Sequence, residues 1–112
     1  MLTLLVVYVT GGLLLIALSI PLIRGRIPPN GLYGFRVPST LNDPQLWYTV
    51  NAYAGKRLLV AGLGIIAAPP ALALLPGLSL DAYALLCLAV IGALLAWAVI
   101  DSFRYLQTLK RK

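Results

Sequence analysis

Residues 58–80 read LLVAGLGIIAAPPALALLPGLSL, and residues 82–100 read AYALLCLAVIGALLAWAVI. Only Asp81 stands between these two uncharged runs. Each is long enough to cross the roughly 30 Å hydrocarbon core of a bilayer as a helix, which takes about 20 apolar residues. Residues 1–23 form a third uncharged stretch. That stretch has no basic leader and no small-residue cleavage site after it, so it reads as a span and not as a signal peptide. The expected fold is an all-α integral membrane protein. Three transmembrane helices, about residues 2–23, 58–80 and 82–103, carry between the first two a structured cytoplasmic loop, residues 24–57, with a short amphipathic helix.

The composition agrees. Of 112 residues, 61% are hydrophobic and 11% charged, a balance that water-soluble domains of this size do not have. There is no His and no Glu, one Cys (Cys87), and acid only at Asp43, Asp81 and Asp101. A His-based nucleophilic triad cannot be built from this set, and a zinc site lacks ligands. The three acids show no catalytic spacing. No enzyme activity, cofactor or metal is expected, and Cys87 reads as a small buried apolar residue.

The net charge of +6 raises the question of nucleic acid, but basic residues flanking apolar spans are better read as topology signals and contacts to anionic lipid. Arg24, Arg26, Arg36, Lys56 and Arg57 lie between the first and second spans, and Arg104, Lys110, Arg111 and Lys112 follow the third. All nine fall on one side, which predicts a multi-pass protein of the cell membrane with its N-terminus outside and its C-terminus cytoplasmic.

Within the spans, Pro69-Pro70 predicts a kink or break near Ala68, because proline removes a backbone donor and crowds the preceding turn. Pro76-Gly77 closes the second span. Gly64 and Ala68, and Gly92 and Ala96, are small-residue pairs that let helices approach. Asp101 is expected in an interfacial ion pair, with Arg104 one turn on as partner and Lys56 or Arg57 as alternatives. Trp97, Phe103, Tyr105 and Tyr83 suit aromatic belts.

The loop differs from its surroundings. PNGLYGFRVPST, residues 29–40, packs Gly, Pro, Asn and Arg into a turn-rich segment. Asp43 fits an N-cap and Pro44 the first helical position. On the helix that follows, Trp47, Val50, Asn51, Ala54 and Leu58 share one face opposite Lys56, with Trp47 as an interfacial anchor. This helix is expected to run on into the second span, bending near Gly55. Arg36 admits two readings. It is either a surface cation or a fork-shaped donor held against carbonyls, carboxylates or phosphates, with Asn30, Thr40 and Asn51 sharing its network.

The spacing Asn30, Gly34, Phe35, Arg36, Pro38, Thr40, then Trp47, Asn51 and Gly55, resembles the motif of the SdpI family of bacterial membrane proteins. That resemblance implies immunity to a secreted membrane-active toxin peptide, and signalling in which a soluble regulator is held at the membrane. It implies a ligand or partner site at Asn30, Gly34, Arg36, Pro38, Thr40, Trp47 and Asn51. The expected partners are membrane lipids, a toxin peptide or soluble regulator, and a second copy of the chain. The alternatives from residue chemistry are a small oligomeric transporter or pore, a lipid-headgroup-binding protein, or a loop whose role is purely architectural.

Overall fold

The computed structural model of the chain describes residues 2–110 and is all-helical among them. Arg111 and Lys112, counted above among the basic residues, lie outside the described residues. Four helices follow in order: α1 (Leu2–Ile23), α2 (Pro38–Leu41), α3 (Pro44–Ala73) and α4 (Leu80–Lys110). By length and composition, α1, α3 and α4 are each able to cross a membrane. Leu13, Leu14, Leu63, Leu85 and Leu88 stand exposed on their outer faces. A surface that apolar is suited to hydrocarbon and not to water.

Local chemistry sets the helix ends. Gly25, at φ 67°, stops α1: its N–H bonds the Leu22 carbonyl and the Arg26 N–H bonds that of Pro21. This left-handed closure satisfies carbonyls that the last turn would otherwise leave bare. Asp43 caps α3 as its sequence suggests, accepting from the Leu46 N–H at 3.2 Å, with Pro44 at the first position. At the start of α4 it is Ser79, two residues ahead of Asp81, whose hydroxyl accepts from the Ala82 N–H.

The amphipathic stretch is the first part of α3, continuous with the second apolar run through Gly55. Trp47, Val50, Asn51 and Ala54 are buried and Lys56 is exposed. α3 also continues through Pro69 and Pro70 without the expected break, and ends at Ala73, short of Leu80. The Tyr83 hydroxyl donates to the Pro69 carbonyl at 3.0 Å, so the proline turn is braced from α4.

α3 is the central helix: α1 packs along one side and α4 along the other, while α1 and α4 meet only lightly. The α1–α3 seam is made where backbones nearly touch. A Cβ on Gly62 would lie 3.1 Å from the Gly12 carbonyl, and one on Gly55 3.0 Å from the Ser19 carbonyl. Helices in lipid gain little from burying apolar surface, so van der Waals contact of this closeness is what joins them. The small-residue pairs singled out in the sequence serve differently. Gly64 receives the Leu94 side chain of α4, whereas no described atom lies within 4 Å of a Cβ built on Gly92.

Candidate functional site: the loop cap and the crevice beneath it

The segment between α1 and α3 is a compact cap built on its own hydrogen bonds. Asn30 organises the first turn. Its Oδ1 accepts from the N–H groups of Leu32 and Tyr33 (2.9 and 2.7 Å), and its Nδ2 donates to the carbonyls of Pro28 and Tyr33 (2.8 and 2.9 Å). Every hydrogen-bonding atom of that amide is thereby used within the turn. Thr40 organises the second turn. Its hydroxyl accepts from the Val37 N–H at 3.1 Å and shares its proton between the carbonyls of Phe35 and Val37, each 3.0 Å away. Pro38 opens α2, where its missing N–H costs nothing.

Two buried side chains of α3 tie these turns down. Asn51 Oδ1 accepts from the Phe35 N–H at 2.6 Å, and its Nδ2 donates to the Trp47 carbonyl at 2.9 Å. Trp47 is fully buried and donates its indole N–H to the Ile27 carbonyl at 2.8 Å. It is thus the inside of the cap and not an anchor in the headgroup layer, because a loop carbonyl supplies the partner its N–H needs. Gly34, at φ 117°, lies flat on both. A Cβ there would sit 2.8 Å from Asn51 Oδ1 and 3.1 Å from the Trp47 ring.

Of the motif side chains Arg36 and Pro38 are exposed, and of these two only Arg36 carries hydrogen-bond donors. Among the described residues its guanidinium makes one hydrogen bond, to the Gly31 carbonyl, and four of its five donors remain available. It does not join Asn30, Thr40 and Asn51 in one network, since those three are occupied with backbone. Beside it the Asn30 turn displays Leu32, 92% exposed.

The cap also reaches the other helices. The Tyr33 hydroxyl donates to the Leu18 carbonyl of α1, and burial pushes its phenol above the usual value. Phe35 meets Phe103 of α4 edge to face, with ring centroids 4.8 Å apart. Below Tyr33, Gly34 and Phe35 lies an apolar crevice of about 230 Å³ between α1 and α4, with Ala54 and Leu58 of α3 behind it.

On α3 and α4 a polar cluster sits at the same level. Arg57 Nε lies 2.7 Å from Asp101 Oδ2, but its N–H is not aimed along that line, so the contact is an ion pair without an aligned hydrogen bond. The directed bonds pass through Tyr53, which accepts from Arg57 Nη2 at 2.9 Å and donates to Asp101 Oδ2 at 2.5 Å. Tyr105 stacks on Tyr53 at 4.0 Å, and the guanidinium lies over the rings of Tyr53 and Trp97. Arg104, the nearest basic residue along the chain, is exposed and takes no part in the pair. Of the aromatics read as belts, Tyr83 is buried and Tyr105 stacks on Tyr53, while Trp97 and Phe103 stay exposed even as they touch Arg57 and Phe35. Among the described residues, no three His, Cys, Asp or Glu side chains come together as metal ligands.

Residues 26–101, running from the cap through α3 to Asp101, match the family model described as the SdpI/YfhL protein family. The chain belongs to the SdpI/YfhL family. No curated protein and no solved structure matches it. As an SdpI/YfhL protein it is a multi-pass membrane protein with three candidate spans, and the matched segment begins just before the motif loop. Sequence reasoning missed Tyr33 and Phe35 as the contacts of this family member's cap with α1 and α4, and Tyr53 as the hydroxyl between Arg57 and Asp101. Their signal was weak: an aromatic beside an apolar span is ordinary until its partner is known.

Proposed function

We propose that this SdpI/YfhL protein confers resistance to a membrane-active peptide, or senses one, through the motif loop and without catalysing a reaction. Family membership supplies the class of activity. The observation that carries the reading is the division of labour inside the motif. Asn30, Gly34, Thr40, Trp47 and Asn51 spend their chemistry on holding the loop rigid, and that rigid frame displays Arg36 and Leu32 outward. A cation and an apolar side chain fixed side by side match an amphipathic peptide at a membrane surface. Pre-organisation removes the ordering cost that a floppy loop would add on binding. The positive-inside rule puts this face in the cytoplasm, where a soluble regulator can also reach it.

The test is protection. Wild type, Arg36→Ala and Leu32→Ser are expressed to equal membrane levels in a sensitive bacterium and challenged with a panel of membrane-active peptides. Protection by wild type and its loss in both variants is the expected result. Equal protection by all three removes the loop as the site. Absence of protection by wild type against every peptide removes the function.

A further inference from the structure

We propose that the crevice between α1 and α4 is a lipid site that holds one acyl chain of an anionic phospholipid from the leaflet at the basic end of the bundle. Its position along the membrane normal is the first reason. From Arg57 to Ala73 and from Leu80 to Asp101 the two helices run about 24 and 32 Å, close to the thickness of the hydrocarbon core. The Arg57–Asp101 pair therefore marks the hydrocarbon edge. Ala54, Leu58, Ala98, Val99 and Ser102, which line the crevice, all lie within about a turn of that edge.

Its chemistry is the second reason. The walls are Leu, Ala and Val from three helices. The two hydroxyls that border it are already committed, Ser102 to the Ala98 carbonyl at 2.7 Å and Tyr33 to that of Leu18. With both protons spent, only the lone pairs of two hydroxyl oxygens remain on otherwise apolar walls, too little for a water that needs two to four polar partners, so the crevice favours an apolar occupant. Leu18 of α1 and Val99 of α4, 47% exposed, line the crevice and face the bilayer, so a chain can enter sideways from the bilayer.

Charge complementarity names the headgroup. The roof at Tyr33–Phe35 is followed at once by Arg36, and Arg24 and Arg26 stand exposed on the same loop. Residues 24–42 contain no acid, and the carboxylate of Asp101 is taken by Arg57 and Tyr53. A phosphate tethered to a chain in the crevice meets an unopposed positive field there. The crevice itself does not depend on whether the outer face of the loop recognises a peptide; Arg36 is the residue that the two readings share.

The experiment is lipid analysis of the protein purified in mild detergent from bacterial membranes, with native mass spectrometry for stoichiometry. Wild type is expected to keep one phospholipid per chain, enriched in phosphatidylglycerol over its share of the membrane. Its melting temperature should rise on adding phosphatidylglycerol and not on adding phosphatidylethanolamine. Val99→Trp and Leu18→Trp, filling the mouth from opposite lips, should lose the lipid and the thermal shift. Leu85→Trp, remote on α4, should keep both. Absence of retained lipid on wild type, retention without anionic enrichment, or retention undiminished in a folded lip variant would each overturn the site.

Discussion

Asn51 Oδ1 accepts the backbone N–H of Phe35 at 2.6 Å, joining α3 to the loop across 16 residues of chain. The same amide donates to the Trp47 carbonyl one turn back, so its orientation is held from both ends. Asn51→Leu keeps the branched shape with a somewhat larger volume and removes both bonds, leaving the part-buried Phe35 N–H without this partner. It should lower stability by about 1–3 kcal/mol. The check is thermal unfolding in detergent, with limited proteolysis near residues 31–37 reporting whether the loop opens first.

Gly34 and Gly31 make a matched pair. Gly34→Ala places a methyl group against Asn51 and Trp47 at a φ of 117°, which side chains rarely adopt, and should cost about 1–3 kcal/mol. Gly31→Ala meets nothing within 4 Å among the described residues and should stay within about 0.5 kcal/mol of wild type. Equal melting temperatures for the two would contradict the packing described for the cap.

Asp101 should couple to Arg57 and not to Arg104. A double-mutant cycle with Arg57→Gln and Asp101→Asn is expected to give about 1 kcal/mol. The side chains are 34% and 27% exposed, so the pair is worth more than a surface bridge and much less than a buried one. The corresponding cycle with Arg104→Gln should give a value near zero. Denaturant titration of the four proteins in each cycle reads it.

The α1–α3 seam should be intolerant where α4 is permissive. Gly62→Ala drives a methyl group to 2.8 Å from Ile16 Cγ1 and 3.1 Å from the Gly12 carbonyl, so the helices must separate. A cost of about 1–3 kcal/mol is expected, as for other overpacked sites. Gly92→Ala, facing open space, should be neutral or slightly stabilising through helix propensity. Melting temperatures in one detergent decide it.

The parts of this protein legible in its sequence are those that depend on neighbours along the chain. Three apolar runs long enough to cross a bilayer, the cap at Asp43-Pro44, and the stripe Trp47, Val50, Asn51, Ala54 follow from hydropathy, local hydrogen bonding and helical period. The motif spacing, from Asn30 to Gly55, pointed to the family, and it lies within the longer matched segment, residues 26–101. Pro69-Pro70 misled because a broken helix is what proline does alone, whereas here α3 continues with Tyr83 bonded to its proline turn.

Only the tertiary structure decided which motif residues build the loop and that the guanidinium of Arg36 stays outside their network, which arginine meets Asp101, and that a crevice opens between α1 and α4. These depend on how each helix is rotated about its own axis and on α3 being the central one. In water, a polar face and an apolar face would announce that rotation. In lipid the surroundings are as apolar as the helix surfaces, so the choice falls to close backbone contacts such as Gly12 on Gly62 and to a few interhelical polar bonds. Those partners are far apart in the chain, and no local pattern records them.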